Sequence, residues 1–263
     1  MKYAILADIH ANLGALKAVL EDAESEKCDA AVCVGDVVGY GNAPKECVQI
    51  IRKLEIPTVR GNHDELSSNE TSLSGFNPHA AAAVEWTRDQ LSEDDRKWLG
   101  ALKLVEKVNG FTIVHASLDH PDKWPYVFDR LAAANSMCHQ TTPVCFVGHT
   151  HVPLAFIRDN AVRGGQYKKL RIEKGKKYLI NVGSVGQPRD GDPKSSYAIY
   201  DTDKAVVELR RVDFDKTNIS WRGKNRPPDD GGSQVPSRLI PRPRPPMAAA
   251  QQPFPVEPPE EEL

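Results

Sequence analysis

Apolar runs that stop abruptly at residues able to bind a metal recur along this chain. Ala4-Ile5-Leu6-Ala7 leads into Asp8-Ile9-His10, a carboxylate and an imidazole two residues apart. Ala30 to Val34 leads into Gly35-Asp36, and Ile56 to Val59 into Arg60-Gly61-Asn62-His63-Asp64. Phe111 to Val114 leads into His115, and Val144 to Val147 into Gly148-His149-Thr150-His151. A single Asp-x-His is ordinarily a turn with a satisfied aspartate, and a lone histidine more often caps or hydrogen-bonds than ligates. Five such breaks in one chain mean more, because ligands bind outside the carboxyl ends of strands in an open α/β sheet. The breaks are expected to converge on one crevice. Five of the eight histidines fall in them; the other three, His79, His120 and His139, read as structural or surface residues.

The elements that must position these residues follow from periodicity. After the first strand, Asn12 can cap a helix whose apolar positions Leu13, Leu16, Val19 and Leu20 share a face. Strand Ala30 to Val34 follows, then a loop with three glycines between Gly35 and Gly41. A helix from Pro44 to Leu54 presents Val48, Ile50, Ile51 and Leu54 inward. The β-α-β-α-β order argues for a parallel sheet flanked by helices. His79 to Leu104 reads as helical, with Ser92-x-x-Asp95 capping a second helix. Asn109-Gly110 marks a hairpin between Lys103 to Val108 and Phe111 to Val114, and Val127 to Met137 reads as a helix. Beyond Val152 come short strands: Leu154 to Ile157, Gln166 to Ile172, Lys177 to Val182, Ser196 to Tyr200 and Ala205 to Arg211. They are expected to make a mixed or antiparallel second sheet.

The bulk composition narrows the partners. With 263 residues, 40% of them hydrophobic, the chain can bury a substantial core. A net charge of -2 gives no electrostatic case for nucleic acid or an anionic membrane as the main partner. The apolar run after Met1-Lys2 is too short for a signal peptide or a membrane span, so a cytoplasmic location is expected. Cys28, Cys33, Cys47, Cys138 and Cys145 contain no C-x-x-C pair and read as reduced, buried small hydrophobes. Eleven of the twenty prolines lie between Arg222 and Leu263, and few large apolar residues accompany them, so 222–263 is expected to be a disordered tail. Pro243-x-x-Pro246, beside Arg242 and Arg244, resembles a polyproline ligand, although a solvated extension is the plainer reading.

Together, Asp8-x-His10, Gly35-Asp36, Gly61-Asn62-His63-Asp64, His115 and Gly148-His149-Thr150-His151 resemble the five motifs of the calcineurin-like metallophosphoesterase superfamily, from Met1 to about Arg211. The resemblance implies an α/β protein, a four-layer α-β-β-α sandwich of two mixed sheets flanked by helices, over residues 1–215. It also implies two divalent metals bridged by one aspartate. Asp8, His10 and His151 would hold the first ion, Asn62, His115 and His149 the second, and Asp36 would lie between them. Two ions about 3.5–4 Å apart can share a hydroxide nucleophile and clamp both sides of a phosphorus centre. A nitrogen and oxygen ligand set without thiolate suits manganese, the expected metal, or iron, zinc, nickel or magnesium. In the family the histidine matching His63 protonates the leaving oxygen, and Asp64 would orient its ring and favour the imidazolium form.

Asn181 to Asp190 resembles the late loop of the small phosphodiesterase branch. There Arg189 could bind a phosphate with its planar fork, a surface turn arginine being the alternative. Tyr40 could stack on a base or aryl group, a buried loop tyrosine being the alternative. Protein phosphatases of the superfamily, and the symmetrical diadenosine tetraphosphatases related to them, carry an arginine in the loop after the bridging aspartate. Here that loop reads Asp36-Val37-Val38-Gly39-Tyr40-Gly41. Ala11 stands where relatives usually have glycine. The expected function is two-metal hydrolysis of a phosphodiester or dinucleoside polyphosphate. A phosphoprotein phosphatase is the second reading. A non-catalytic scaffold is the third, and such scaffolds lose metal ligands that this chain keeps. The expected partner is a small phosphoester, with nucleotides among the candidates.

Overall fold

The computed structural model describes residues 1–70, 73 and 78–215; the Pro-rich segment 222–263 lies outside them. In chain order the elements are β1 (Lys2–Leu6), α1 (Leu13–Ser25), β2 (Ala30–Cys33), α2 (Pro44–Leu54), α3 (Asn62–Ser68), α4 (Pro78–Gln90), α5 (Glu93–Ala101), β3 (Val105–Val108) and β4 (Phe111–Val114). Then come α6 (Arg130–Cys138), β5 (Val144–Val147), β6 (Leu154–Arg158), β7 (Val162–Gly165), β8 (Lys169–Arg171), β9 (Lys177–Asn181), β10 (Ser195–Asp201) and β11 (Val206–Val212). No described helix is long and apolar enough to cross a membrane.

The strands form two mixed sheets, ordered β2-β1-β10-β11-β8 and β3-β4-β5-β9-β6-β7. β1–β2, β4–β5 and β5–β9 are parallel, and the other pairs are antiparallel. The central strands read as unbroken apolar runs because both of their faces are covered. Tyr3, Ile5, Phe111, Ile113, Val144, Phe146, Tyr178 and Ile180 fill the space between the sheets. The alternate residues of the first sheet, Ala4, Leu6, Tyr197 and Ile199, pack with Leu16 and Val19 of α1 and with Val48 and Ile51 of α2. On the second sheet Val114, Cys145, Val147 and Leu179 pack with Ala133 and Met137 of α6. Three apolar layers between four structural layers make the expected α-β-β-α sandwich.

Local signals act where expected. The Asn12 side chain accepts the Ala15 N–H at 3.1 Å. Ser92 and Asp95 close a reciprocal capping box at the start of α5. The β3–β4 hairpin turns at Asn109-Gly110, where Gly110 takes φ +91°.

Other expectations need correction. Ile56 to Val59 makes only single bridges, from Thr58 to Cys33 and from Val59 to Lys103; Pro57 has no N–H to extend a ladder. Leu54 is exposed, because the chain turns away at Glu55 before the sheet can cover the last turn of α2. Cys138 is exposed and Cys28 half-buried, so only Cys33, Cys47 and Cys145 are core residues. The helix expected from Val127 begins at Arg130, since the Asp129 carboxylate accepts the N–H groups of Leu131 and Ala132. The late strands do not form a sheet of their own. β10, β11 and β8 extend the sheet of β1, while β9, β6 and β7 extend that of β5.

Candidate metal centre

Four of the five breaks leave the ends of strands β1, β2, β4 and β5, and the fifth opens α3. They meet at one place. Asp8, His10, Asp36, His115, His149 and His151 are all buried there, with Asn62 half-buried at the first position of α3. Three overlapping groups have ligand atoms close enough to share an ion: Asp8, His10 and His151; Asp36, His115 and His149; and His10, Asp36 and His63. His151 Nε2 lies 3.2 Å from Asp8 Oδ1. The Asp36 Oδ2 atom lies 3.7 Å from His10 Nε2 and 3.3 Å from His115 Nε2, and Asn62 Oδ1 is also 3.3 Å from His115 Nε2.

The donor set fits cations. His10 Nδ1 donates to the Val38 carbonyl at 3.1 Å, His115 Nδ1 to Val34 at 2.8 Å and His151 Nδ1 to Gln187 at 2.6 Å. An imidazole whose Nδ1–H is held by a carbonyl turns its Nε2 lone pair toward the centre, as metal-binding histidines do. The Nε2 atoms of His10 and His151 are 2.9 Å apart, so two lone pairs face each other across a gap that a shared cation satisfies. His149 Nε2 is buried with no hydrogen-bond partner among the described residues. The titration of the cluster follows from crowding. Burial, reinforced by His115, pushes His149 down to about 3. Burial also opposes charge on His115, but Asp36 outweighs it and raises the ring to about 9.

Holding these groups together costs backbone strain. Asp8, His10, Asp36, His149 and His151 all have φ between 48° and 67°, a region that costs a non-glycine residue roughly 1–2 kcal/mol. Loop-to-loop hydrogen bonds impose it: the N–H groups of Asp8, His10 and Ala11 donate to the carbonyls of Gly35, Asp36 and Val37 at 3.0 Å. At Gly61 a Cβ would run into the Asp36 carboxylate, and at Gly148 into that of Asp8, so both sites admit no side chain. The late loop buttresses the arrangement. Asn181 Nδ2 donates to the Gly148 carbonyl at 2.5 Å and to Thr150 Oγ1 at 2.9 Å, and Ser184 Oγ donates to the Asp8 carbonyl at 2.7 Å.

Asp64 does not orient the His63 ring. Its carboxylate accepts four backbone N–H groups, from Asp36 at 2.8 Å, Val37 at 2.9 Å, Val38 at 3.3 Å and Gly61 at 3.0 Å. It is the clip that joins the Asp36 loop to the start of α3. Burial and the neighbouring Asp36 raise its pKa to about 7 against the pull of those donors. His63 Nδ1 is buried without a hydrogen-bond partner among the described residues, facing Gly39. Burial therefore lowers the His63 pKa, with Asp36 pulling the other way; the imidazolium gains nothing from Asp64.

Tyr40 packs against the rings of both His63 and His10, at centroid distances of 4.4 and 4.9 Å, and those two rings meet each other at 5.0 Å. Arg189 is exposed at the rim, its Cζ 5.8 Å from the Tyr40 ring centroid and its Nη2 donating to Gln187 Oε1 at 2.6 Å. His120 and His139 are exposed surface residues; the side chain of His79 lies outside the description. Sequence reasoning missed Trp124 and Tyr126, whose rings meet His115 and His149, and Phe128, which stacks on Tyr126. The available signal was three aromatics in five residues of a chain that is 7% aromatic.

The fold and this cluster define a class. Residues 1–205 match the Calcineurin-like phosphoesterase superfamily domain, and the chain belongs to that superfamily: it is a metal-dependent phosphoesterase. It is 38% identical over 240 residues to the uncharacterized protein MJ0912 of Methanocaldococcus jannaschii, spanning 88% of this chain and 96% of that one. Among solved structures it is similar to a metallophosphoesterase from Sphaerobacter thermophilus, with a TM-score of 0.72, 42% identity and coverage of 82% of this chain and 89% of the other. Hypothetical protein PH1004 from Pyrococcus horikoshii OT3 shares the fold at 21% identity, with a TM-score of 0.66 and the same coverage of 82% and 89%.

Proposed function

We propose that residues 1–215 form one catalytic domain of the small phosphodiesterase type, hydrolysing a phosphodiester or dinucleoside polyphosphate with two divalent cations, manganese first among them. Asp8, His10 and His151 hold one cation, and Asn62, His115 and His149 the other. The observation that carries this reading is the position of Asp36: one carboxylate oxygen reaches both His10 and His115, so a single residue can serve both sets. When bound, the cations supply Lewis-acid polarisation of the phosphoryl oxygens and water activated near neutral pH.

The chain's own residues do the rest. His63, buried at the edge of the cluster with Asp36 as the neighbour that favours its imidazolium against burial, gives a proton from Nε2, the ring nitrogen not closed in against Gly39, to the departing oxygen. Tyr40 packs on the His63 ring and fixes its plane. Arg189 offers its guanidinium fork to a phosphate oxygen at the rim. The loop from Asp36 to Gly41 holds no arginine, which the related protein phosphatases carry there, and this favours a diester over a phosphoprotein.

The test is hydrolysis of bis(4-nitrophenyl) phosphate by metal-stripped protein, with and without added manganese. Activity that returns with manganese is the expected result. Protein that binds two metals per chain and leaves the diester intact would overturn the reading.

A further inference from the structure

Tyr126, Phe128 and Leu131 are 53%, 49% and 73% exposed, three of the few large apolar side chains that stand in solvent among the described residues. Contiguous exposed apolar side chains mark a surface that covers something. This patch is continuous with the metal centre. The Tyr126 ring lies flat against His149, with centroids 4.2 Å apart and planes 18° from parallel. Phe128 continues the stack outward at 5.6 Å and 20°. Trp124 meets His115 edge-on at 5.8 Å. A ladder of parallel rings therefore runs from a buried histidine of the centre to the solvent.

The ladder is held rigidly. Val127 between the two rings is buried, so its neighbours at 126 and 128 are turned outward. Asp129 fixes the next residues by accepting the N–H groups of Leu131 and Ala132, both at 2.9 Å. Tyr40 and Arg189 border the other group of ligands, the Tyr40 ring 4.9 Å from that of His10 and the Arg189 Cζ 5.8 Å from the Tyr40 ring. A phosphoryl group at the centre, between these two sides, would have its ester substituent emerging along the rings.

We propose that Phe128, the outermost ring of this stack and backed by Tyr126, is a stacking platform for a nucleobase, so that the substrate is a nucleotide derivative and not an alkyl or sugar phosphoester. Aromatic side chains bind any base through its π-face, and the platform selects for a planar ring without setting which base it is. This inference rests on the metal centre being where the phosphoryl group is held.

The test measures binding, which needs no turnover. Manganese-loaded full-length protein is titrated calorimetrically with adenosine 5′-methylenephosphonate and with ethylphosphonate, whose phosphorus–carbon bonds resist hydrolysis. The adenosine compound is expected to bind at least about tenfold tighter. That ratio should fall about tenfold in Phe128→Ala, the order expected for losing one base–aromatic stack, and recover in Phe128→Trp. A wild-type ratio near one, including no measurable binding of either compound, overturns the proposal, as does a ratio unchanged in Phe128→Ala. If the ratio behaves as expected while bis(4-nitrophenyl) phosphate is not cleaved, the platform stands and the hydrolytic reading falls. Cleavage with a ratio near one means the reverse.

Discussion

His10 and His151 are separated by 141 positions in the chain, yet their Nε2 atoms lie 2.9 Å apart, each ring tied through Nδ1 to a backbone carbonyl. Two lone pairs so placed need a shared cation. The wild-type protein should carry two divalent metals per chain by elemental analysis after dialysis, and His151→Ala only one. Chelation should lower the melting temperature by about 5–10 °C, because an ion that binds only the folded state stabilises it by a few kcal/mol. A His151→Ala protein that retains two metals would show that the pair does not share an ion.

Asp64 carries a second consequence. Its carboxylate is the acceptor for four backbone N–H groups, all buried. Asp64→Ala leaves them without a partner and should cost about 3 kcal/mol or more in urea unfolding, with metal content falling because the Asp36 loop comes loose. Asp64→Asn keeps one acceptor oxygen and should cost less. Equal, small losses in both variants would mean that water replaces the carboxylate.

For His63 the expectation concerns rate and not metal. His63→Ala should keep both metals and lower kcat on an alkyl phosphodiester by roughly 10²–10⁴-fold. On an aryl diester, whose leaving phenolate needs little protonation, the loss should be much smaller. An equal loss on both substrates would assign the residue to positioning and not to proton transfer.

The stability of the fold should also titrate at a site remote from the centre. Asp22, in α1, accepts Tyr197 Oη at 2.6 Å and Arg210 Nη2 at 3.1 Å. Burial alone would raise its carboxyl, but the hydrogen bonds from Arg210 and Tyr197 prevail and hold it below the ordinary value. A carboxyl depressed in the folded state contributes stability above its unfolded pKa of about 3.9. That contribution disappears as pH falls through the folded pKa. Asp22→Asn should therefore be less stable than wild type by about 1 kcal/mol at pH 7, and the gap should close below about pH 3.9. A gap that does not narrow at all as pH falls below about 3.9 would make packing, and not charge, the cause.

The sequence by itself determined the inventory of the centre and most of the local structure. The carboxylate, carboxamide and imidazole groups end apolar runs that must be buried on both faces, and such runs end where a sheet's ligand crevice lies. Asn12, Ser92 and Asn109-Gly110 act through neighbours a few residues away, so their roles were legible. The tertiary structure decided everything that depends on which distant groups meet. It divided the late strands between two sheets, since any apolar strand can pair with any free edge until packing chooses. It turned Asp64 from a partner of His63 into a clip for four backbone N–H groups, and it set Tyr126 flat on His149. Left-handed backbone at five of the seven expected ligands carries no sequence mark, because local preference opposes it. Only hydrogen bonds between loops brought together by the packed sheets can hold it.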